Sequence, residues 1–134
     1  MQHALYGEGG FYSGSGRAGR RGDFLTSPEV GPLFGHVLAQ AIDNVWIKLG
    51  SPQNFTIVEV GAGPGTLARS ILAAHPKCLE RGKYVAVEVS ATQRASHPEG
   101  ITSTDVMPAV IENGVIIANE LFDNLPFELW VFDD

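Results

Sequence analysis

The fold of this chain is decided by one stretch of sequence, Thr56-Ile57-Val58-Glu59-Val60-Gly61-Ala62-Gly63-Pro64-Gly65-Thr66-Leu67. It begins with β-branched residues, breaks at three glycines spaced two apart, and leads into residues 67–74, which favour a helix. A buried parallel strand that turns through glycines into a helix opens a nucleotide-binding βαβ unit. The glycines allow positive φ and close approach of a ligand to the backbone. We therefore predict an α/β fold with a ligand at Gly61, Gly63 and Gly65; the alternative is a tight turn without a ligand.

The glycine spacing separates classes of nucleotide site. A dinucleotide site has the pattern G-x-G-x-x-G, but here Thr66 occupies the place of its third glycine. A nicotinamide or flavin enzyme is therefore disfavoured. With Glu59 two residues before the first glycine, the pattern E-x-G-x-G-x-G resembles the first motif of class I S-adenosylmethionine-dependent methyltransferases. The resemblance implies that the turn passes under the amino-acid end and ribose of that cofactor, whose ammonium group suits a carboxylate network that includes Glu59.

Composition narrows the partners. The chain has 134 residues, enough for one domain with a core, and a formal net charge of −6. That charge argues against general binding to nucleic acid or to anionic membranes. The single cysteine, Cys78, cannot form an internal disulfide and is predicted to be a structural thiol. No apolar run is long enough to cross a bilayer, and the four histidines lack metal-ligand spacing. We expect an intracellular chain without a membrane span or a metal.

Residues 1–25 are predicted to be an irregular glycine-rich arm whose aromatic residues fold it over a ligand, and residues 26–134 to form the α/β domain. Thr26-Ser27-Pro28-Glu29 has the hydroxyls, proline and glutamate of a helix start, and the apolar spacing continues this helix to about Leu49. Further helices are expected at 67–75 and, as one or two turns, within 90–98. The predicted strands are Thr56–Val60, Tyr84–Val89, Ile101–Ser103, Val115–Ala118 (fully apolar, hence central) and a loosely alternating Phe127–Phe132.

Polar residues follow the ends of the predicted strands, where ligands of open parallel sheets bind. Glu88 closes the second strand and is placed to accept both hydroxyls of a ribose; the alternative is a solvated strand end. Asp105 follows the third strand and is placed to bind an adenine amino group, although a lone loop aspartate is an equal alternative. The segment after the fourth strand should face the same crevice with Asn119, Glu120 and Asp123.

Three separate stretches together are similar to the MidA-type methyltransferases, relatives of the mitochondrial complex I assembly protein arginine methyltransferase. They are residues 22–30, 59–67 and 119–126. The resemblance implies a Rossmann-like class I fold, S-adenosylmethionine as cofactor, and methyl transfer to a protein arginine, in mitochondrial members one on a respiratory complex I subunit. The residues that make up these motifs look more like those of bacterial members of the family than those of mitochondrial members. We therefore expect a cytoplasmic protein, with the mitochondrial matrix as the alternative.

Members of that family are more than twice as long as this chain. We therefore expect only the N-terminal half of the mostly parallel sheet, with an open edge at the fourth strand. An open edge invites pairing, so a homo-oligomer through this edge is one expectation. A non-catalytic binding or assembly module that keeps the cofactor-binding core is the alternative to an enzyme.

An arginine acceptor would have to be activated, because its guanidinium is protonated at neutral pH and is then a poor nucleophile. Carboxylates that hold it bidentately, with Glu120 and Asp123 as candidates, would localise its charge, and Asn119 would aim a carbonyl at the acceptor nitrogen. Ordinary turn and helix-start chemistry is the alternative for Glu120 and Asp123. Asp23 and Thr26 would reach the cofactor from the arm.

Overall fold

The computed structural model describes residues 7–8, 32–128 and 130–131. A parallel sheet carries helices on one face, which confirms the predicted α/β class. Short 3₁₀ helices lie at Lys77–Leu79 and Phe122–Asn124. The helices are α1 (Pro32–Lys48), α2 (Thr66–Ala73) and α3 (Ala91–Arg94), and the strands are β1 (Thr56–Val60), β2 (Lys83–Val87), β3 (Thr102–Thr104) and β4 (Gly114–Ile117).

The sheet has the order β3-β2-β1-β4, and each neighbouring pair is parallel. The chain therefore proceeds outward from β1 to β3 and then returns to the other side of β1. In register, Ile57 of β1 lies between Tyr84 of β2 and Val115 of β4. Such a reversal of strand order leaves a crevice beyond the carboxyl ends of the strands, which is where open α/β sheets bind ligands.

One core lies between the sheet and the helix layer formed by α1 and α2. The two helices approach closely at Gly35, where an added Cβ would lie 2.8 Å from the carbonyl carbon of Ser70. The opposite sheet face has a smaller core. The side chains buried between sheet and helices include Ala39, Ile42, Phe55, Ile57, Leu67, Ala68, Ile71, Cys78, Tyr84 and Ala86, and those on the opposite face are Val58, Val85 and Val87. The valine and isoleucine content of β1 reflects burial on both of its faces.

The fourth strand has the open edge expected from the length of the chain, since β4 is an edge strand in the described part of the sheet. The central position expected from its apolar sequence is wrong for these residues. Its side chains are mostly half-buried, and Ile116 is 58% exposed. Apolar content reports which faces of a strand are covered, and it does not determine how many neighbours the strand has.

Phe127–Phe132 was predicted to be a strand, yet its described residues, 127, 128, 130 and 131, have no regular structure. Trp130 is 87% exposed, and the segment begins directly after Pro126, which lacks an N–H to donate. Alternation alone does not make a strand when no partner strand pairs with it.

Other boundaries agree within about two residues, except that the predicted start of α1 at Thr26 and nearly all of the predicted arm lie outside the described residues. Cys78 is buried, as expected of a structural thiol, and burial first, then Asp43, raises its pKa to about 12. None of the described helices combines the length and apolar character that a membrane span needs.

Candidate functional site

The turn after β1 holds three glycines in the left-handed region. The φ angles are +71° at Gly61, +56° at Gly63 and +81° at Gly65, a conformation that side chains resist. The N–H groups of Gly61 and Ala62 both donate to the carbonyl of Val87, which ties this turn to the end of β2. The turn thus forms a floor of backbone atoms, without side chains at the glycines, at the carboxyl end of the sheet, as the glycine spacing predicted.

Glu88 stands directly beside this floor. Its Oε2 accepts the Gly63 N–H at 2.9 Å, and its Oε1 accepts the Ser90 N–H at 2.8 Å. The residue is only 8% exposed, so these two donors largely determine how the carboxylate is turned. A carboxylate has about four acceptor positions, and two are used here. The structure therefore brings Glu88 to the glycine turn with acceptor capacity to spare.

Asp105, after β3, is linked to Glu88 through Arg94. The Arg94 guanidinium donates to the backbone carbonyls of Glu88 and Val89 at 2.6 and 2.9 Å, and it lies 3.6 Å from the Asp105 carboxylate. The backbone N–H of Glu88 also donates to the carbonyl of Thr104. The ends of β1, β2 and β3 thus form one continuous rim.

Glu59 lies two residues before the glycine turn and is buried. It shares a sheet face with Ile57, so its side chain lies in the core beneath the helices, where it is 4% exposed. The Tyr84 hydroxyl donates to its carboxylate at 2.6 Å. Burial raises the pKa of Glu59 to about 7; the bond from Tyr84 opposes that rise, and the negative charge of Glu88 adds to it. The pKa of Tyr84 is also raised, mainly by burial and then by Glu59.

The segment after β4 adjoins the turn at Gly61, because a Cβ added there would lie 2.9 Å from Cδ1 of Leu121. Asn119 is half-buried, whereas Glu120 and Asp123 are exposed. Glu120 adopts a φ of +50°, and its carbonyl accepts a bond from the Asn124 side chain at 2.7 Å. The predicted catalytic segment therefore flanks the glycine turn through Leu121, while Asp23 and Thr26 lie outside the described residues.

Two residues that contact the turn were not singled out from the sequence. His97 contacts the carbonyl of Gly63 through Nε2 at 2.8 Å, and Arg69 donates to the carbonyls of Pro64 and Ser96. No spacing rule points to His97, because it lies 34 residues from Gly63 along the chain. Arg69 lies two residues after Leu67 within α2, where an arginine is ordinary helix composition, so it gave no signal either.

Two other features of the described residues bear on function. No group of three or more histidine, cysteine, aspartate or glutamate side chains is arranged there to hold a metal ion. A shallow cleft lies at the opposite end of the sheet, where Asn54, Lys83 and Glu112 surround the starts of β1 and β2. Because ligands of parallel sheets bind at the carboxyl ends of the strands, the glycine-turn crevice is the better candidate site.

A family model described as "Putative S-adenosyl-L-methionine-dependent methyltransferase" matches residues 37–134. Curated relatives include the mitochondrial protein arginine methyltransferase NDUFAF7 homolog of Drosophila melanogaster, 40% identical over 77 residues, which is 58% of this chain and 18% of the relative. The Mus musculus protein arginine methyltransferase NDUFAF7, mitochondrial, is 33% identical over 96 residues, or 69% of this chain and 22% of the relative. The chain thus spans about a fifth of these relatives.

A solved structure extends the likeness to the fold. A Burkholderia thailandensis protein crystallised with S-adenosyl-homocysteine superposes with a TM-score of 0.75 at 31% identity, covering 90% of this chain and 35% of that protein. A second crystal structure from the same organism gives a TM-score of 0.68 at 32% identity, covering 93% of this chain and 34% of the other. These matches confirm the Rossmann-like methyltransferase fold predicted from the sequence.

Proposed function

Because the chain belongs to the family of S-adenosyl-L-methionine-dependent methyltransferases whose model it matches over residues 37–134, we propose that it binds S-adenosylmethionine and takes part in methylating a protein arginine. The chain covers about a third of the length of its solved neighbours, so the activity of a whole methyltransferase is a proposal for this chain. One observation carries the proposal: the Glu88 carboxylate is bonded to Gly63 within a turn of three left-handed glycines.

The described residues fit the cofactor. Glu88 keeps free acceptor positions beside the turn, which suits a pair of ribose hydroxyls. Gly61, Gly63 and Gly65 leave the floor without side chains, so a nucleoside can approach the backbone. Asp105, at the outer end of the rim, would accept from the adenine amino group. Glu59, at the end of β1 beside the turn, would belong to the carboxylate network around the cofactor ammonium group, with its carboxyl group held by Tyr84.

When bound, S-adenosylmethionine supplies a methyl group on a positively charged sulfur. The residues of this chain would supply position and charge around it. Glu120 and Asp123 are exposed next to the turn and would hold a guanidinium bidentately, and Asn119 would accept from the nitrogen that is methylated. The sequence also predicts cofactor contacts from Asp23 and Thr26, which lie outside the described residues.

The partner we propose is a protein that presents an arginine, because the curated relatives are protein arginine methyltransferases by name. The family resemblance of the sequence implies that this acceptor is a complex I subunit.

The edge of β4 would accommodate a second copy of the chain, giving a homo-oligomer. The relatives are mitochondrial by name, which favours the mitochondrial alternative and gives no support to a cytoplasmic location.

Calorimetric titration of S-adenosylhomocysteine into the protein tests the cofactor site. We expect saturable binding, abolished by Gly63→Val, because a side chain at that φ strains the turn and its Cβ would lie 3.2 Å from Oε1 of Gln93. Gly100→Val is the matched control, since Gly100 has a φ of +83° but open space around its Cβ position. Absence of binding by the wild-type protein would overturn the proposal.

Transfer of labelled methyl groups to protein arginine tests the activity. Glu120→Gln and Asp123→Asn should each reduce transfer about tenfold or more while S-adenosylhomocysteine binding stays unchanged, since each removes a charge-assisted bond to the acceptor. Glu88→Gln should instead weaken cofactor binding. Cofactor binding by wild-type protein without any transfer would favour the non-catalytic module.

A further inference from the structure

His97 connects the glycine turn to β3 through both ring nitrogens. Its Nε2 lies 2.8 Å from the Gly63 carbonyl oxygen, and its Nδ1 lies 2.8 Å from the Ser103 hydroxyl oxygen. A carbonyl oxygen only accepts, so Nε2 must carry the proton, and in the neutral ring Nδ1 accepts from Ser103. The Ser103 hydroxyl therefore favours the tautomer that can hold Gly63.

Gly63 is held at both of its backbone groups. Its N–H donates to Glu88 at 2.9 Å, and its carbonyl accepts from His97. With a φ of +56° and no side chain, the residue has little else to determine how its two peptide groups are turned. A continuous path of hydrogen bonds therefore runs from Ser103 through His97 and Gly63 to the Glu88 carboxylate.

The segment that carries His97 contacts the turn at other points as well. A Cβ on Gly65 would lie 3.0 Å from Cδ of Pro98 and 3.2 Å from Cδ2 of His97. Arg69 bridges the carbonyls of Pro64 and Ser96. These contacts back the turn along its length, so the ring of His97 has a defined place from which to hold Gly63.

We propose that His97 is a positioning residue for the cofactor. It acts through Gly63 to keep the Glu88 carboxylate oriented toward the ribose hydroxyls, without touching the ligand itself. This inference rests on the proposed function, because it concerns the same nucleoside site. It goes beyond that function by assigning a role to a residue outside the glycine motif and the strand-end acids.

The test compares S-adenosylhomocysteine with its 2′-deoxy analogue by calorimetry. In the wild-type protein, we expect loss of the hydroxyl to weaken binding about tenfold, as for a charge-assisted hydrogen bond. In His97→Leu, S-adenosylhomocysteine itself should bind about tenfold more weakly, and the deoxy penalty should shrink to about twofold because Glu88 is no longer held. His97→Gln, whose side-chain amide replaces the Nε2 donor, should restore most of both values.

Controls separate positioning from structural support. His36→Leu, on the exposed side of α1, should leave both affinities unchanged, and melting temperatures should be measured for every variant. If His97→Leu fails to fold, Ser103→Ala removes the hydroxyl partner while keeping the ring, and it should reduce the deoxy penalty in the same direction. An unchanged penalty in variants that still bind S-adenosylhomocysteine would overturn the role of His97 alone. Failure of the wild-type protein to bind would overturn the proposed function together with it.

Discussion

Glu59 carries a carboxyl group that folding removes from water next to the candidate site. It lies 4% exposed between the sheet and the helices, and the hydroxyl of Tyr84 is its hydrogen-bond partner. Glu59 is part of the sequence motif, and the negative charge of Glu88 is close enough to raise its pKa. The end of β1 thus carries an acid that is buried, bonded to Tyr84 and electrostatically coupled to the acid at the end of β2.

Replacing Glu59 with glutamine should change how stability depends on pH. The pKa of Glu59 rises from 4.5 to about 7 on folding, so the folded protein binds the extra proton between these values. The wild-type protein should therefore lose stability as pH rises from 4.5 to about 7, by up to about 3 kcal/mol, with no further change from this group above that range. Glutamine does not ionise, and its carbonyl still accepts from Tyr84, so Glu59→Gln should lack this loss.

Urea unfolding at several pH values between about 4 and 8 measures this difference, because the contributions of other groups cancel between wild type and variant. Glu59→Gln should match the wild-type protein in acid and exceed it at pH 8. Glu99→Gln, at an exposed position, is the matched control and should leave the slope unchanged. A variant whose stability falls with pH as steeply as that of the wild-type protein would contradict the assignment.

At the scale of elements, the contact between α1 and α2 depends on the absence of a side chain at Gly35. A Cβ there would lie 2.8 Å from the backbone of Ser70, so the helices would have to separate. Gly35→Ala should therefore destabilise the protein by about 1–3 kcal/mol, although alanine is the better helix former by about 1 kcal/mol. Urea unfolding measures the change, with Gln40→Ala on the exposed side of α1 as control.

A compensating substitution sharpens this test. Ser70→Gly removes one of the contacting side-chain atoms, so the double variant should recover part of the lost stability, while the backbone contact remains. Stabilisation by Gly35→Ala alone would show that helix propensity outweighs the contact and that the helices are not in close packing there.

Local patterns were sufficient to predict most elements. Thr56–Val60 was predicted with the observed bounds because β-branched residues end at a glycine turn, and both signals lie within a few residues. Positions that depend on distant partners were not predictable in this way. The lack of pairing after Pro126 and the contact of His97 with Gly63 both depend on residues far along the chain.

The candidate site shows the same division. Parallel strands end at one edge, so the position of Glu88 at the end of the predicted second strand was enough to expect it beside the turn. The side toward which Glu59 points depends on the pleat and on which face the helices cover, and no motif spacing encodes that. The link from Arg94 to Asp105 could not be predicted, because the short helix after β2 exposes several polar residues that could equally have contacted Asp105.

At the scale of the whole molecule, the opening of the core should be linked to the candidate site by mass action. Any ligand that binds only the folded protein stabilises it, and at 100 times its Kd the effect is about 2.7 kcal/mol. Cys78 offers a reporter of that opening because it is the single cysteine of the chain and is 2% exposed. Its pKa, raised to about 12, leaves almost no thiolate while the protein is folded.

Thiol labelling of Cys78 should therefore proceed through unfolding and should slow about 100-fold when S-adenosylhomocysteine is present at 100 times its Kd. The rate is measured with an excess of a chromogenic disulfide at pH 8. Gly63→Val should label at a rate that the ligand does not change, whereas Gly100→Val should show the wild-type slowing. If calorimetry shows binding but the ligand leaves the wild-type rate unaffected, Cys78 is exposed by a local opening that does not involve the glycine turn. In that case the core beneath α2 and the candidate site would not unfold as one cooperative unit.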